Sequence, residues 1–249
     1  MTAKAERERI DVLLVERGLC ESRARAQARV LAGEVIVDDQ RVDKAGERVR
    51  KDAHIRLKGE AMPWVSRGGL KLDAALGWFG VDPTGLVCAD IGASTGGFTD
   101  VLLQHGAACV FAVDVGYGQL AHRLRTDPRV TNLERTHIVK LPVGTLTPAP
   151  RLAVVDVSFI SLVQVLPALV PHLAPDARVV CLIKPQFEVG KGAVGKGGIV
   201  RDASARAAAV ERVLAAAAAA GLACEGVRES PVTGADGNVE VVAAFARAC

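Results

Sequence analysis

Aromatic residues are scarce in this chain: two Trp, one Tyr and six Phe make up only 4% of its 249 residues. No helical pattern joins a cationic face to a large aromatic or leucine face, which argues against lying in a membrane surface. No apolar run approaches the ~18 residues that span a bilayer, although half of the chain is hydrophobic. The first residues, Met-Thr-Ala-Lys-Ala-Glu-Arg-Glu-Arg, are charged and lack the apolar core of a secretion signal. Cysteines at 20, 88, 109, 181, 224 and 249 form no C-x-x-C pair. They offer neither a zinc site nor a disulfide framework, and those inside apolar runs read as small buried hydrophobes. A cytoplasmic protein without a metal is the expectation.

Two phosphate-binding patterns are missing as well. No Gly-Lys-Ser/Thr closes a P-loop, and Ser94 takes the place of the middle glycine of G-x-G-x-x-G. What stands there is Asp90-Ile-Gly-Ala-Ser-Thr-Gly-Gly97, between a strand-like run at 86–89 and Phe98, Val101, Leu102 and Leu103 at helical spacing. Glycines 92, 96 and 97 allow a ligand close to the backbone. Asp114, ending the apolar run 109–113, is placed to accept hydrogen bonds from ribose hydroxyls. The pattern D-x-G-x-x-x-G-G suits S-adenosylmethionine, which carries no phosphate. Asp90, Gly92, Ser94, Thr95, Gly96, Gly97, Phe98 and Asp114 are the residues expected around it.

Charge is unevenly spread. Residues 1–71 hold 16 Lys/Arg against 12 Asp/Glu, whereas residues 72–249 hold 15 against 16. The basic excess thus sits where a polyanion could be met. An apolar helix starting at Ile10 should stop at Gly18. Ser22 is then a good N-cap for a second helix, from Arg23 to about Ala32, ended by Gly33. That helix carries Arg23, Arg25 and Arg29. Val35-Ile36-Val37, a polar turn and Arg41-Val42 suggest a hairpin, and Val49 and residues 54–57 continue the β character. Residues 8–60 resemble the small RNA-binding domain named after the fourth protein of the small ribosomal subunit. The resemblance rests on Arg9-Ile-Asp-Val-Leu-Leu-Val-Glu-Arg-Gly, Ser22-Arg-Ala-Arg-Ala-Gln-Ala and Gly33-Glu-Val-Ile-Val. It implies RNA held mainly through shape and phosphates, with Arg9, Arg23, Arg25 and Arg29 among the contacts.

The expected organisation is an RNA-binding domain at 1–60, a linker at 61–66 and a second domain at 67–249. Pro63 forbids helix continuation, and Trp64 and Val65 are apolar enough to dock. A helix should run from about Ser66 through Phe79, with Lys71 off its apolar stripe. Strands at 86–90, 109–114, 130–133, 152–156, 178–183, 223–228 and 238–245 alternate with helices. The fold class is α/β: a Rossmann-like methyltransferase domain behind a small α+β module. Ligands collect at the carboxyl ends of such strands. Asp156 and Lys184 end two of these runs, and Glu240 enters the last.

Lys71, Asp156, Lys184 and Glu240, around a methyl-donor turn, resemble the Lys-Asp-Lys-Glu tetrad of FtsJ-like ribose 2′-O-methyltransferases. With the N-terminal module, the chain is similar to the TlyA (haemolysin A) family of rRNA methyltransferases. Its specific segments are Ser66-Arg-Gly-Gly-Leu-Lys71, the turn at 90–97, Asp156-Val-Ser-Phe-Ile-Ser161 and Lys184-Pro-Gln-Phe-Glu188. The resemblance implies transfer to rRNA, with cytidine riboses as targets and ribosomal RNA or subunits as partners. It adds Glu134 near the cofactor's adenosine half and Arg67 as an RNA contact; composition alone, with no motif, offers Lys191 and Lys196 for RNA phosphate. The lysines belong to a glycine-rich loop at 190–198 expected to cover the site. An unperturbed lysine (pKa ~10.4) is protonated at neutral pH, so Lys184 acts as base only if burial and Lys71 outweigh Asp156. If it stays charged, it stabilises the developing alkoxide. Two rivals remain at this point: a haemolysin-like membrane-active protein, and an RNA-binding protein with an inactive methyltransferase fold.

Overall fold

The computed structural model describes residues 6–58, 63–190, 194–195, 197–234 and 237–247. It divides into two units, 1–63 and 64–249. Trp64 is buried in the core of the second unit, and Val65 packs against that core, so half of the expected linker is part of the fold.

The first unit opens with β1 (Arg7–Arg9) and α1 (Ile10–Glu16), followed by α2 (Arg23–Leu31). Ser22 Oγ accepts from Arg25 N at 3.3 Å and caps α2 as its sequence position suggests. Four short strands complete it: β2 (Val35–Val37), β3 (Gln40–Val42), β4 (Arg48–Arg50) and β5 (Ile55–Leu57). They form a three-stranded antiparallel sheet ordered β3-β2-β5, while β4 pairs with β1. Ile10, Leu13, Leu14, Ala26, Val30 and the inward residues of β2 and β5 make its core.

In the second unit, α3 (Gly68–Phe79) leads into a seven-stranded sheet. Its strands are β6 (Val87–Ile91), β7 (Cys109–Val113), β8 (Val130–Leu133), β9 (Leu152–Val155), β10 (Arg178–Ile183), β11 (Leu222–Glu229) and β12 (Val241–Arg247). The spatial order is β11-β12-β10-β9-β6-β7-β8, parallel from β8 to β10, with β12 antiparallel to both neighbours. Most strands fall within a residue or so of the expected spans. β12 starts three residues late because 238–240 are spent on loop bonds: Gly234 N donates to Asn238 O and Ser230 N to Glu240 O, both at 2.9 Å.

The central strands read as continuous apolar runs because helices cover both faces. On one face α3 and α4 (Gly97–Gln104) contribute Leu72, Leu76, Val101 and Leu102. On the other, α6 (Leu162–Leu169) and α8 (Ala203–Ala219) contribute Val165, Leu166, Val213 and Ala217. Between them in sequence lie the single turns α5 (His122–Arg125) and α7 (Pro185–Glu188). Among the described residues no helix is long and apolar enough to cross a membrane.

Candidate active site

Strand order reverses at β6, whose neighbours are β7 and β9, and a cleft opens over their carboxyl ends. It encloses about 620 Å³, within the range of sites for cofactor-sized ligands. The walls are Gly92 and Ser94 after β6, residues 113–116 and Gln119 around the end of β7, residues 136–138 beyond β8, and residues 156–160 beyond β9.

Gly92 is required by both conformation and space. Its φ is +87°, and a Cβ would lie 2.5 Å from the Asp156 carbonyl oxygen. Only a bare backbone lets the β6 turn pass that close to the loop after β9. Asp114 ties this turn to the next one: its carboxylate accepts from Ser94 N at 2.8 Å and Gly116 N at 2.6 Å. A carboxylate has about four acceptor positions, so capacity remains for hydroxyls from the cleft.

Of the residues expected to meet the cofactor, Gly92, Ser94 and Asp114 line the cavity; the others do not. Asp90 is completely buried and braces α4 from below, accepting from Thr99 N at 2.8 Å and Thr99 Oγ1 at 2.6 Å through Oδ2. Its Oδ1 has no partner, and burial raises its pKa to about 7. Gly96 and Gly97 face protein: Cβ atoms there would strike Leu124 and Ser66 respectively. Phe98 is core, and the exposed Thr95 uses its carbonyl to accept from Ala121 N. Glu134 stands off the cavity with Oε1 buried and unpaired, its pKa lowered by the Asn132 side chain and Gly118 N–H. These six residues shape the turns rather than wall the cleft.

The four charged residues form two ion pairs. Lys71, although off the apolar stripe of α3, is buried and lies 2.5 Å from Glu240 Oε2, the side chains being 8% and 3% exposed. Lys184 Nζ lies 2.6 Å from Asp156 Oδ1 and donates to Ser158 Oγ at 3.0 Å. Ile183 is the register partner of Val241, so Lys184 and Glu240 leave the sheet as neighbours. Asp156 follows β9 on the other side of β10. Cys181, in the β10 core, is fully buried, and burial raises its thiol pKa; it is no nucleophile.

Three features escaped the sequence reading. Phe159, on the cavity wall, is 93% exposed at φ +66°, a strained conformation for an aromatic residue, and its ring lies 5.1 Å from that of Phe187. Glu188 accepts from Leu162 N at 2.8 Å and from Ser161 Oγ, fastening the end of the 156–161 loop to α7. Asn238 accepts from Val200 N and donates to Gly198 O, both at 2.9 Å, clamping the end of the glycine-rich segment beside the Glu240 loop. Phe159 and Glu188 fall inside the quoted family segments, where the pattern gives them no role of their own; Asn238, whose partners lie 38 and 40 positions away, has no local signature.

In the first unit, Arg25 and Arg29 are exposed on α2, whereas Arg9 and Arg23 are both bonded to Asp11. In the second unit, Arg67 is half-buried at the start of α3. Lys191 and Lys196 lie outside the described residues.

A nucleoside-sized cleft at the switch point of this sheet, with an antiparallel strand between β10 and β11, defines a methyltransferase-type fold. The chain belongs to the FtsJ-like methyltransferase family, whose profile matches residues 64–247, and it carries an S4 domain at residues 8–55. It is 48% identical over 237 residues to a 16S/23S rRNA (cytidine-2′-O)-methyltransferase, TlyA of Mycobacterium tuberculosis, covering 95% of this chain and 88% of that one. Hemolysin A of Brachyspira hyodysenteriae is 40% identical over 243 residues, covering 95% and 99%. A solved structure described as a hemolysin from Streptococcus thermophilus superposes with a TM-score of 0.77 at 43% identity, covering 98% of this chain and 90% of that one. An S-adenosylmethionine-dependent methyltransferase from Mesorhizobium loti (TM-score 0.53, 18% identity) shares the fold.

Proposed function

We propose that this chain transfers a methyl group from S-adenosylmethionine to a ribose 2′-hydroxyl of ribosomal RNA, at cytidine as in the mycobacterial relative. The observation that carries the reading is that Lys71 on α3 pairs with Glu240 at the entry of β12, while Lys184 at the exit of β10 pairs with Asp156 on the cleft wall, with no thiol among the described residues of that wall. The cleft fits the cofactor: Gly92 keeps its floor bare, and Asp114 has spare acceptor capacity for ribose hydroxyls. S-adenosylmethionine, when bound, supplies an electrophilic methyl on a sulfonium.

A ribose hydroxyl is a weak acid and a poor nucleophile, so the protein must position it and stabilise the charge its oxygen gains. Lys184 is the group for that task. Asp156 and Ser158 fix its ammonium, which retains N–H capacity for the 2′-oxygen as the hydroxyl proton is lost to solvent. Lys71, neutralised by Glu240, anchors the entry of β12 next to the strand end that carries Lys184, without adding net charge. Phe159 offers an exposed ring face against which a base drawn out of its stack can lie. The first unit supplies arginines for RNA phosphates. A ribosomal substrate implies a cytoplasmic protein.

The test is transfer of labelled methyl from S-adenosylmethionine to purified 30S and 50S subunits and to free rRNA, comparing the native chain with Lys184→Ala. Incorporation that renders one phosphodiester alkali-resistant, and is lost in the variant, is the expected result. No incorporation into any of the three acceptors refutes the ribosomal reading.

A further inference from the structure

Asp11 lies in the first turn of α1 and is completely buried, an expensive place for a carboxylate unless donors surround it. Four donors do. Arg9 grips it with both edges of a fork, Nε to Oδ1 and Nη2 to Oδ2, each at 2.9 Å. Arg23 Nε and Gln27 Nε2 reach Oδ2 at 2.9 and 2.8 Å. Hydrogen bonds from Arg9 foremost, then from Gln27 and Arg23, hold the acid well below the usual carboxylate range against its burial.

One buried carboxylate therefore brings together two guanidinium groups from separate elements, β1 and α2. Neither arginine is consumed. Arg23 spends only Nε on Asp11, and Arg9 keeps Nη1; their side chains remain 54% and 38% exposed. Without the shared acceptor the two like charges would repel, and both long side chains would regain rotamer freedom.

We infer that Asp11 is a positioning residue for RNA: it locks Arg9 and Arg23 side by side, with spare N–H groups outward, as a two-arginine clamp on backbone phosphate. The inference rests on the RNA reading of this unit. It makes a prediction opposite in sign to simple charge counting. Asp11→Asn raises the net charge of the unit by one, which by charge alone tightens binding to a polyanion and steepens its salt dependence. If Asp11 acts by positioning, the same change weakens binding.

The experiment titrates the full chain with deproteinised rRNA by filter binding between roughly 50 and 200 mM salt, where phosphate contacts are most salt-sensitive. Thermal unfolding confirms that each variant is folded. Asp11→Asn is expected to weaken binding about tenfold, the equivalent of one charge-assisted contact, and to have no further effect once Arg9 and Arg23 are both alanine. A folded Asp11→Asn chain that binds rRNA as tightly as wild type, or more tightly, overturns the inference. Should that substitution unfold the unit, Arg23→Lys carries the test, since it keeps the charge but loses the guanidinium that reaches Asp11 through Nε and offers its Nη groups outward. Weaker binding by Arg23→Lys supports the clamp and unchanged binding overturns it. Failure of the wild-type chain to bind rRNA removes the RNA reading itself, and this inference with it.

Discussion

The Lys71–Glu240 pair separates stability from activity, because the two respond differently to losing one charge or both. Both side chains are almost fully withdrawn from water and meet at 2.5 Å. Replacing Lys71 by Met leaves Glu240 buried and unpaired, which costs about 3–5 kcal/mol. For a unit of this size that lowers the melting temperature by roughly 6–20 °C. Glu240→Gln strands the ammonium instead and should cost a comparable amount. Removing both charges, as Lys71→Met with Glu240→Gln, leaves no buried charge and should recover about half of the loss, the remainder being the desolvated Gln amide. Circular dichroism melts of the four chains give the coupling energy directly. Methyl transfer, by contrast, should be lost in all three variants, because none keeps the Lys71–Glu240 ion pair. Additive destabilisation in the double variant, or single variants each costing less than about 1 kcal/mol, would refute a buried, mutually dependent pair.

Asp90 should make stability fall with rising pH. Its native pKa is raised from 3.8 to about 7 by burial, so the protonated form is favoured on folding. The stabilising contribution is complete below the unfolded pKa and is lost as pH rises through about 7, an effect on the order of 4 kcal/mol. Asp90→Asn keeps an acceptor for Thr99 and should flatten urea stability across that window; an unchanged pH slope would show that another group titrates. Gly92→Ala places a methyl 2.5 Å from a backbone oxygen at φ +87° and should cost at least ~2 kcal/mol while abolishing S-adenosylmethionine binding by calorimetry. A stable Gly92→Ala chain with normal cofactor affinity contradicts the close approach. Phe159→Ala should alter stability by less than about 0.5 kcal/mol, because the ring is exposed, yet lower kcat/KM for RNA by roughly 5- to 100-fold, the worth of one base stack. Unchanged kcat/KM would leave the exposed ring without a role in substrate binding.

Local pattern sufficed for the elements and for the charged residues at strand ends. The run at 178–183 is apolar throughout because it is covered on both faces, and Lys184 is conspicuous as the first charge after it. Ser22 and Gly33 punctuate α2 through local chemistry alone. Sequence says less where a residue's surroundings are set by distant neighbours. Asp90 and Phe98 belong to the glycine turn in sequence, yet Asp90 on β6 and Phe98 on α4 are both buried. Asp11 sits inside a basic segment where it only lowers a charge count; its value comes from joining Arg9 to Arg23, twelve residues on. Likewise β1 is too short for periodicity and exists because residues 48–50 offer it a ladder.

The direction of the last strand decides whether the charged residues can meet at all. β9 and β10 are parallel, so Asp156 and Lys184, which follow them, emerge at the same rim of the sheet. Glu240 precedes its strand. Were β12 parallel to β10, that position would lie at the opposite rim, about six residues or 20 Å away along the strand. Because β12 runs antiparallel, with Val241 opposite Ile183, its entry point coincides with the exit of β10. Glu240 can then reach both the strand end that carries Lys184 and the helix that carries Lys71. A carboxylate before one strand and a lysine after another thus become neighbours through topology, from a separation of 56 positions in the chain, 184 to 240.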